Sequence, residues 1–447
     1  MKQPNVVLVF GDQWRAQACG YAGDPNVRTP HLDRLAAQSV NFTHAVSGCP
    51  VCTPARASLL TGQLPLTHQL IVNDVCLSDR ATSLAQAFTG AGYDTAYIGK
   101  WHVDGHGRSN YIPPERRQGF DYWKVLECTH DYNNSPYYAC DSPERLTWEG
   151  YDAIAQTRDA QQYIGRRDDE RPFLLVLSWG PPHAPYHTAP PQYQDLYRPD
   201  DVELPGNVPD SHADLARQQL AGYYAHCTAL DDCVGDLLST LDQEGLADDT
   251  LFLFFSDHGD MLQSHGMDKK QKPWDESVRI PFLLRYPALL GTEGFQLKAF
   301  IDLPDIMPTV LSLCGIPIPG TVEGLDYSGH VQGDEDPSDG AALITCPHPF
   351  GQWWPGAGGR AYRGLRTHEH TYVRVLEGPW LLHDNQSDPL QQTNLIGPPE
   401  HRDLVHEMDA RLQRRLDAIG DEFLPSVEYI RRFGYRTDVR GTVPYTN

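Results

Sequence analysis

Val6-Val7-Leu8-Val9-Phe10, running straight into Gly11-Asp12-Gln13, is the stretch from which the fold is read. An unbroken apolar run rich in valine, with no alternation, describes a strand buried on both faces, and the glycine ends it. Thr95–Ile98, Phe173–Leu177, Leu251–Phe255 and Phe282–Leu284 have the same character. Between them lie helix-period stretches at Leu32–Val40, Leu84–Thr89, Tyr151–Ile164, Leu215–Leu241 and Pro304–Leu313. This alternation predicts an α/β fold, a mostly parallel central sheet flanked by helices on both faces. Ligands of such sheets collect beyond the carboxyl ends of the strands. Two of those ends are acidic: Asp12-Gln13 after the first run, and Asp257-His258 after Leu251–Phe255. Two carboxylates, an amide oxygen and an imidazole suit a divalent cation.

Further along, Gly333-Asp334-Glu335-Asp336-Pro337-Ser338-Asp339-Gly340 is acidic and rich in turn formers, and marks a boundary. It divides a larger catalytic part, residues 1–335, from a smaller C-terminal α+β part, residues 336–447. In the latter, Ala342–Thr345, Tyr362–Leu365, Thr371–Val375 and Trp380–His383 read as an antiparallel sheet. Leu404, Val405, Met408, Leu412, Leu416 and Ile419 keep helical spacing, so one amphipathic helix packs on that sheet. The tail from Glu422 onward is expected to drape over the surface.

A chain of 447 residues with 59 acidic and 36 basic side chains carries a net charge of −23. Nucleic acid and anionic membranes would repel it, so neither is expected as a partner. An anionic small molecule can still bind where lysine, arginine, histidine and a metal make one positive pocket. No apolar run is long enough to cross a bilayer, and Met1-Lys2-Gln3-Pro4 leads into the first strand rather than a signal peptide. If the chain is complete it is expected in the cytoplasm, and in the periplasm if an export signal has been removed.

Cys52-Thr53-Pro54-Ala55-Arg56 opens a helix: Pro54 suits its first turn, Ala57, Leu59 and Leu60 continue it, and Gly62 can end it. Cys52 thus sits at a helix N-terminus, where free N–H groups favour an anion. Arg56, one turn deeper, carries a donor fork suited to an oxyanion. Lys100 and His102 close the strand that begins near Thr95, offering a point charge and a titratable base. His183 stands between prolines on a stiff loop, Pro181-Pro182-His183-Ala184-Pro185. Of the basic run Lys269-Lys270-Gln271-Lys272, at most one lysine is expected to face a site.

The string Cys-X-Pro-X-Arg at 52–56, with Leu60-Thr61-Gly62 downstream, resembles the sulfatase signature. The strand exits follow that family's order from Val6 to about Tyr286. His383-Asp384-Asn385, Asp388-Pro389 and Asn394-Leu395 are similar to its closing domain. The chain is identified as a member of the formylglycine-dependent sulfatases, within the alkaline-phosphatase-like superfamily. The resemblance implies hydrolysis of a sulfate monoester, on a sulfated carbohydrate or an aryl sulfate. It also implies that a formylglycine-generating enzyme converts Cys52 to the formylglycine nucleophile. Asp12, Gln13, Asp257 and His258, with residue 52, would be metal ligands, calcium being the usual ion and manganese or magnesium the alternatives. Arg56 would steady residue 52, and Lys100 and Lys270 would bind the sulfate oxygens. His102 would assist release, His183 or Lys270 would protonate the leaving group, and Asn73 would add a polar substrate contact. Gln13 and His258 stand where many members carry Asp and Asn. That version also resembles phosphonate monoester and phosphodiester hydrolases, which are the alternative activity. Specificity is expected from the loops 104–111, 132–138 and 187–197, and from Arg363, Arg366 or His348–Trp354 reaching over the pocket.

Overall fold

The computed structural model describes residues 3–167 and 171–445. Ten strands make one sheet: β1 (Asn5–Asp12), β2 (Val40–Phe42), β3 (Asp94–Lys100), β4 (Tyr122–Leu126), β5 (Pro136–Ala139), β6 (Arg145–Thr147), β7 (Phe173–Pro182), β8 (Thr250–Ser256), β9 (Phe282–Arg285) and β10 (Phe295–Leu297). Their spatial order is β10-β2-β9-β8-β1-β7-β3-β4-β5-β6. The block β8-β1-β7-β3-β4 is parallel throughout, and the pairing turns antiparallel at β9 and β5.

β1 lies at the heart of this block and is buried along its whole length. Val6, Leu8 and Phe10 pack on one face with Ala57, Leu59 and Leu60 of the helix Cys52–Thr61 and with the helix Leu303–Leu313. Val7 and Val9 pack on the other with Leu220, Leu230 and Leu237 of the helix Ala213–Gln243. A one-residue slip would exchange one apolar face for another, so the alternation that usually fixes register is absent. Polar contacts at the strand ends supply it. Phe173 N–H donates to Asn5 Oδ1 (3.2 Å), and Ser256 Oγ donates to Gly11 O (2.8 Å) while accepting from Trp14 N–H (2.8 Å). The resulting register aligns Asp12 with Pro182, Gly11 with Ser256 and Gly99 with Ser178. Asp12, Lys100, His183 and Asp257 therefore all leave the sheet at one edge.

Two elements differ from the sequence expectation. The helix expected over Leu32–Val40 ends at Ala36, and Val40–Phe42 is strand β2. Ser39 Oγ turns back to Leu35 O (2.7 Å), and the following residues take up pairing with β9 and β10. The C-terminal tail, expected on the surface, contains a helix, Ser426–Phe433, with Phe423 and Tyr429 buried.

The second sheet runs β11 (Ala341–Cys346), β12 (Tyr362–Thr367), β13 (His370–Val375) and β14 (Gly378–Asp384), antiparallel in that order. Leu365, Tyr372 and Leu382 meet Met408, Leu412 and Leu416 of the helix Arg402–Ile419, while Ile344 and Val373 pack on Val278 and Trp353. Arg363 does not reach over the Cys52 site. It is fully buried and paired with Asp421, and Tyr429 Oη bonds the same carboxylate (2.9 Å). Arg366 is held instead by both oxygens of Asp275 (2.8 and 2.9 Å). Removing one member of a buried ion pair leaves its partner uncompensated, which costs about 3–5 kcal/mol. Asp421→Ala is therefore expected to lower stability by about that amount, read as the midpoint of chemical denaturation. An unchanged midpoint would show that the Arg363 pair does not anchor the tail.

Candidate active site

Where the strands end, two carboxylates and a guanidinium share a buried floor. Arg56 is 1% exposed, and its Nη2 lies 3.1 Å from both Asp12 Oδ2 and Asp257 Oδ2. Its Nη1 donates to Lys100 O (2.9 Å) and Ser178 Oγ (2.7 Å), so its donors are spent on the protein and not on an external oxyanion. Arg56 also makes no hydrogen bond to Cys52 among the described contacts. Asp12 Oδ2 takes a second cation, Lys100 Nζ, at 2.6 Å. Burial opposes the Asp12 charge, but Lys100, Lys270, His183 and Arg56 outweigh it and hold the carboxyl well below its usual range. Asp257 is pushed the other way, by burial and then by Asp12 beside it.

Cys52 sits over this floor as the first residue of its helix. Lys270 Nζ approaches its Sγ to 2.9 Å, His258 Nε2 to 3.2 Å, and Asp12 Oδ1 to 3.7 Å. Burial and Asp12 oppose a thiolate, yet Lys270, Lys100 and His258 prevail and bring the thiol well below its usual value. The pocket therefore stabilises negative charge at side chain 52 despite the surrounding acidic surface. Lys272, by contrast, turns away to the carbonyls of Asp268 (2.6 Å) and Lys270 (3.0 Å). The loop that presents Lys270 is braced from the second sheet's side: Gln271 Nε2 donates to Phe350 O (3.0 Å), and Phe350 N–H donates to Gln271 Oε1 (3.1 Å). The segment His348–Trp354 thus supports the loop from behind through Phe350.

Asp12, Cys52, Asp257 and His258 each place a ligand atom within 4.8 Å of one another. Gln13 is tied to the cluster through its N–H, which donates to Asp257 Oδ1 (2.9 Å), and its Oε1 is buried without a hydrogen-bond partner among the described residues. His258 Nδ1 donates to Gly259 O (3.0 Å), which leaves Nε2 turned toward the cluster. Two carboxylates, an orphan amide oxygen and an imidazole fit a divalent cation. Among the non-glycine residues in left-handed backbone are Gln13 (φ 70°), Asp74 (65°), His102 (61°), Lys269 (56°) and Gln271 (75°), each a site residue or a neighbour of one. Each such residue costs about 1–3 kcal/mol, and strain of this kind gathers at functional sites.

Of the remaining sequence candidates, Asn73 Oδ1 is committed to Thr53 N–H (3.1 Å) and fastens the start of the Cys52 helix. Thr53 Oγ1 in turn donates to His102 O (2.7 Å). His102 Nε2 lies 3.4 Å from Asp74 Oδ1, and Arg108 grips Asp74 through Nε (2.7 Å) and Nη2 (2.8 Å). His183 donates from Nδ1 to Ala184 O (2.8 Å) and stacks on His130, with ring centroids 4.6 Å apart. Burial first, then Lys270, drives the His183 imidazole well below its usual value. Sequence reading missed Asp74, His130, Ser178 and Asp260, and held Arg108 only as part of the 104–111 loop. Only Asp260, two residues past His258, and Asp74, next to Asn73, carried a positional hint.

The His102–Asp74 pair generates a pH expectation. Burial works against the imidazolium, but the Cys128 sulfur first, then Asp74 and Cys52, raise its pKa from 6.5 to about 10. A raised pKa means that the pair's stabilisation is complete below about pH 6.5 and is lost as the pH climbs through about 10. NMR titration of the His102 ring should show it charged through neutrality, and Asp74→Asn should move its titration downward. A ring that titrates identically in both proteins would contradict the pairing.

The sulfatase family model matches residues 4–316, and a second, for the C-terminal part of N-sulphoglucosamine sulphohydrolase, matches residues 263–418. The chain is 46% identical over 436 residues to the ulvan-active sulfatase of Formosa agariphila, covering 97% of this chain and 85% of that protein. It superposes with a TM-score of 0.85 on the crystal structure of a sulfatase, yidJ, from Bacteroides fragilis, at 29% identity over 96% of this chain and 98% of that one. A phosphonate monoester hydrolase of Agrobacterium radiobacter, 23% identical with a TM-score of 0.78 over 94% and 96% of the two chains, shares the fold. The chain belongs to the sulfatase family, and its reaction is the hydrolysis of a sulfuric ester.

Proposed function

We propose that Cys52 is matured to formylglycine by a formylglycine-generating enzyme, and that Asp12, Gln13, Asp257 and His258 hold a divalent cation against it. Calcium suits the oxygen-rich donor set best, with manganese or magnesium as alternatives. The cation would supply Lewis-acid stabilisation of a sulfate oxygen, and the formylglycine the nucleophilic hydroxyl. The observation that carries the reading is the approach of Lys270 Nζ to Cys52 Sγ at 2.9 Å, opposite the Asp12–Asp257 floor.

Each remaining role follows from where the side chain stands. Lys270 and Lys100 neutralise the non-bridging oxygens as negative charge redistributes during transfer. Arg56 holds Asp12 and Asp257 in line, and so steadies residue 52 through the carboxylates. His183 serves the departing oxygen. Its Nδ1 is spent on Ala184 O, which leaves Nε2 as the working nitrogen. Burial first, then Lys270, holds its pKa down in the free protein. The negative charge of a bound ester opposes part of that effect, and the imidazolium delivers its proton to the departing oxygen as the S–O bond breaks. His102 exchanges a proton beside residue 52 during sulfate release. Asn73 acts through the helix start that it fastens. Catalysis is assigned to residues 1–335, with residues 336–447 bracing the Lys270 loop through Phe350.

The substrate is a sulfated carbohydrate. The 46% identity to an ulvan-active sulfatase supports ulvan or a fragment of it. Assayed side by side, ulvan and an aryl sulfate are expected to give a higher kcat/KM than a phosphonate monoester; the reverse order would favour the alternative activity. Cys52→Ala should abolish sulfate release from a protein that still unfolds cooperatively, and full activity in that variant would remove formylglycine from the account. His183→Ala should cost roughly 10²–10⁴-fold on a carbohydrate sulfate, and far less on an aryl sulfate whose phenol departs without a proton. Equal losses on both substrates would take His183 off the leaving group.

A further inference from the structure

Gln13 is fastened at its backbone: its N–H donates to Asp257 Oδ1 (2.9 Å), and its carbonyl accepts from Tyr223 Oη (2.7 Å). Its side chain is fully buried, with two ends of nearly equal shape and opposite hydrogen-bonding character. Nε2 donates to Asp260 Oδ2 at 2.5 Å, and Oε1 is the buried oxygen without a partner. A carboxylate only accepts, so Asp260 selects the NH2 end and leaves the oxygen on the far side. The same Oδ2 accepts from Tyr186 Oη (2.5 Å), three residues beyond His183, and Oδ1 accepts from Leu262 N–H (3.2 Å).

We propose that Asp260 is a positioning residue that fixes the orientation of the Gln13 amide, keeping its oxygen toward the cation. Through Tyr186, Asp260 also ties that glutamine to the loop carrying His183. The inference rests on the reading of Gln13 as a metal ligand. Neither Asp257-His258 nor the amide itself dictates which end of Gln13 faces the cluster; Asp260 does. An asparagine in its place keeps the Leu262 bond by turning its oxygen there. Its NH2 then confronts Gln13, and the amide must turn over. Partners of this kind behind a metal ligand are worth roughly 10–100-fold in metal affinity.

The test titrates Ca²⁺ by calorimetry into the full-length, matured protein after chelator treatment. Asp260→Asn is expected to weaken binding by roughly 10–100-fold, whereas Tyr186→Phe, which leaves the amide anchored, should bind as wild type does. Gln13→Glu supplies a readout that a merely structural role would not move. A carboxylate has an oxygen at both ends, so Gln13→Glu should restore affinity to Asp260→Asn, yet weaken binding where Asp260 is intact and repels it. Should Gln13→Ala leave Ca²⁺ affinity unchanged, the ligand reading fails and takes this proposal with it. Should Gln13→Ala weaken binding while Asp260→Asn binds normally, the role of Asp260 alone is overturned.

Discussion

Asp12, Asp257 and Arg56 hold one another at the carboxyl edge of the sheet with no more than 2% exposure on any of them. Ions removed from water so completely persist only when each finds compensating charge and hydrogen bonds. Arg56 supplies part of that, and Lys100 adds a second cation to Asp12. Everything else in the active site is arranged around this floor. Cys52 is delivered to it by a helix start, Lys270 by a braced loop, and His102 by a strand end fastened to Thr53.

Such an arrangement is costly, because it combines buried charge with five left-handed non-glycine residues. The two-sided apolar packing of β1 offsets that cost. Burial of a valine or leucine is worth about 1.5–3 kcal/mol each, and the parallel block consists largely of such residues. The sheet therefore contributes stability and the register, and the register brings the four strand exits together. The second sheet contributes rigidity at a distance, through the Gln271–Phe350 bonds and the Asp275–Arg366 pair.

What could be read from the sequence was what depends on a local run of residues. The strand Val6–Phe10 and the helix Cys52–Thr61 carry their own patterns, as does the Arg402–Ile419 helix. The meeting of Asp12 with Asp257 followed from the rule that ligands gather at strand ends. Pairings between distant residues were out of reach. Arg56 looks like an oxyanion binder from its chemistry, and only the fold shows its donors spent on two carboxylates and Ser178. Arg363 looks like a substrate clamp in a short strand, until Asp421 is seen closing on it from the tail. Val40–Phe42 is too short to announce itself as a strand against a preceding helical pattern. Asp260 and His130 act on neighbours far away in sequence, and no local spacing reveals that.

The proposed chemistry requires a cation held between the two strand exits and against side chain 52. Crystals of the matured protein grown with Mn²⁺ provide the most direct measurement, through an anomalous difference map. One dominant peak is expected, in contact with Asp12, Gln13, Asp257, His258 and residue 52. A map with no peak there, in crystals where Mn²⁺ binds elsewhere such as Cys76, Asp104 and His106, would contradict it.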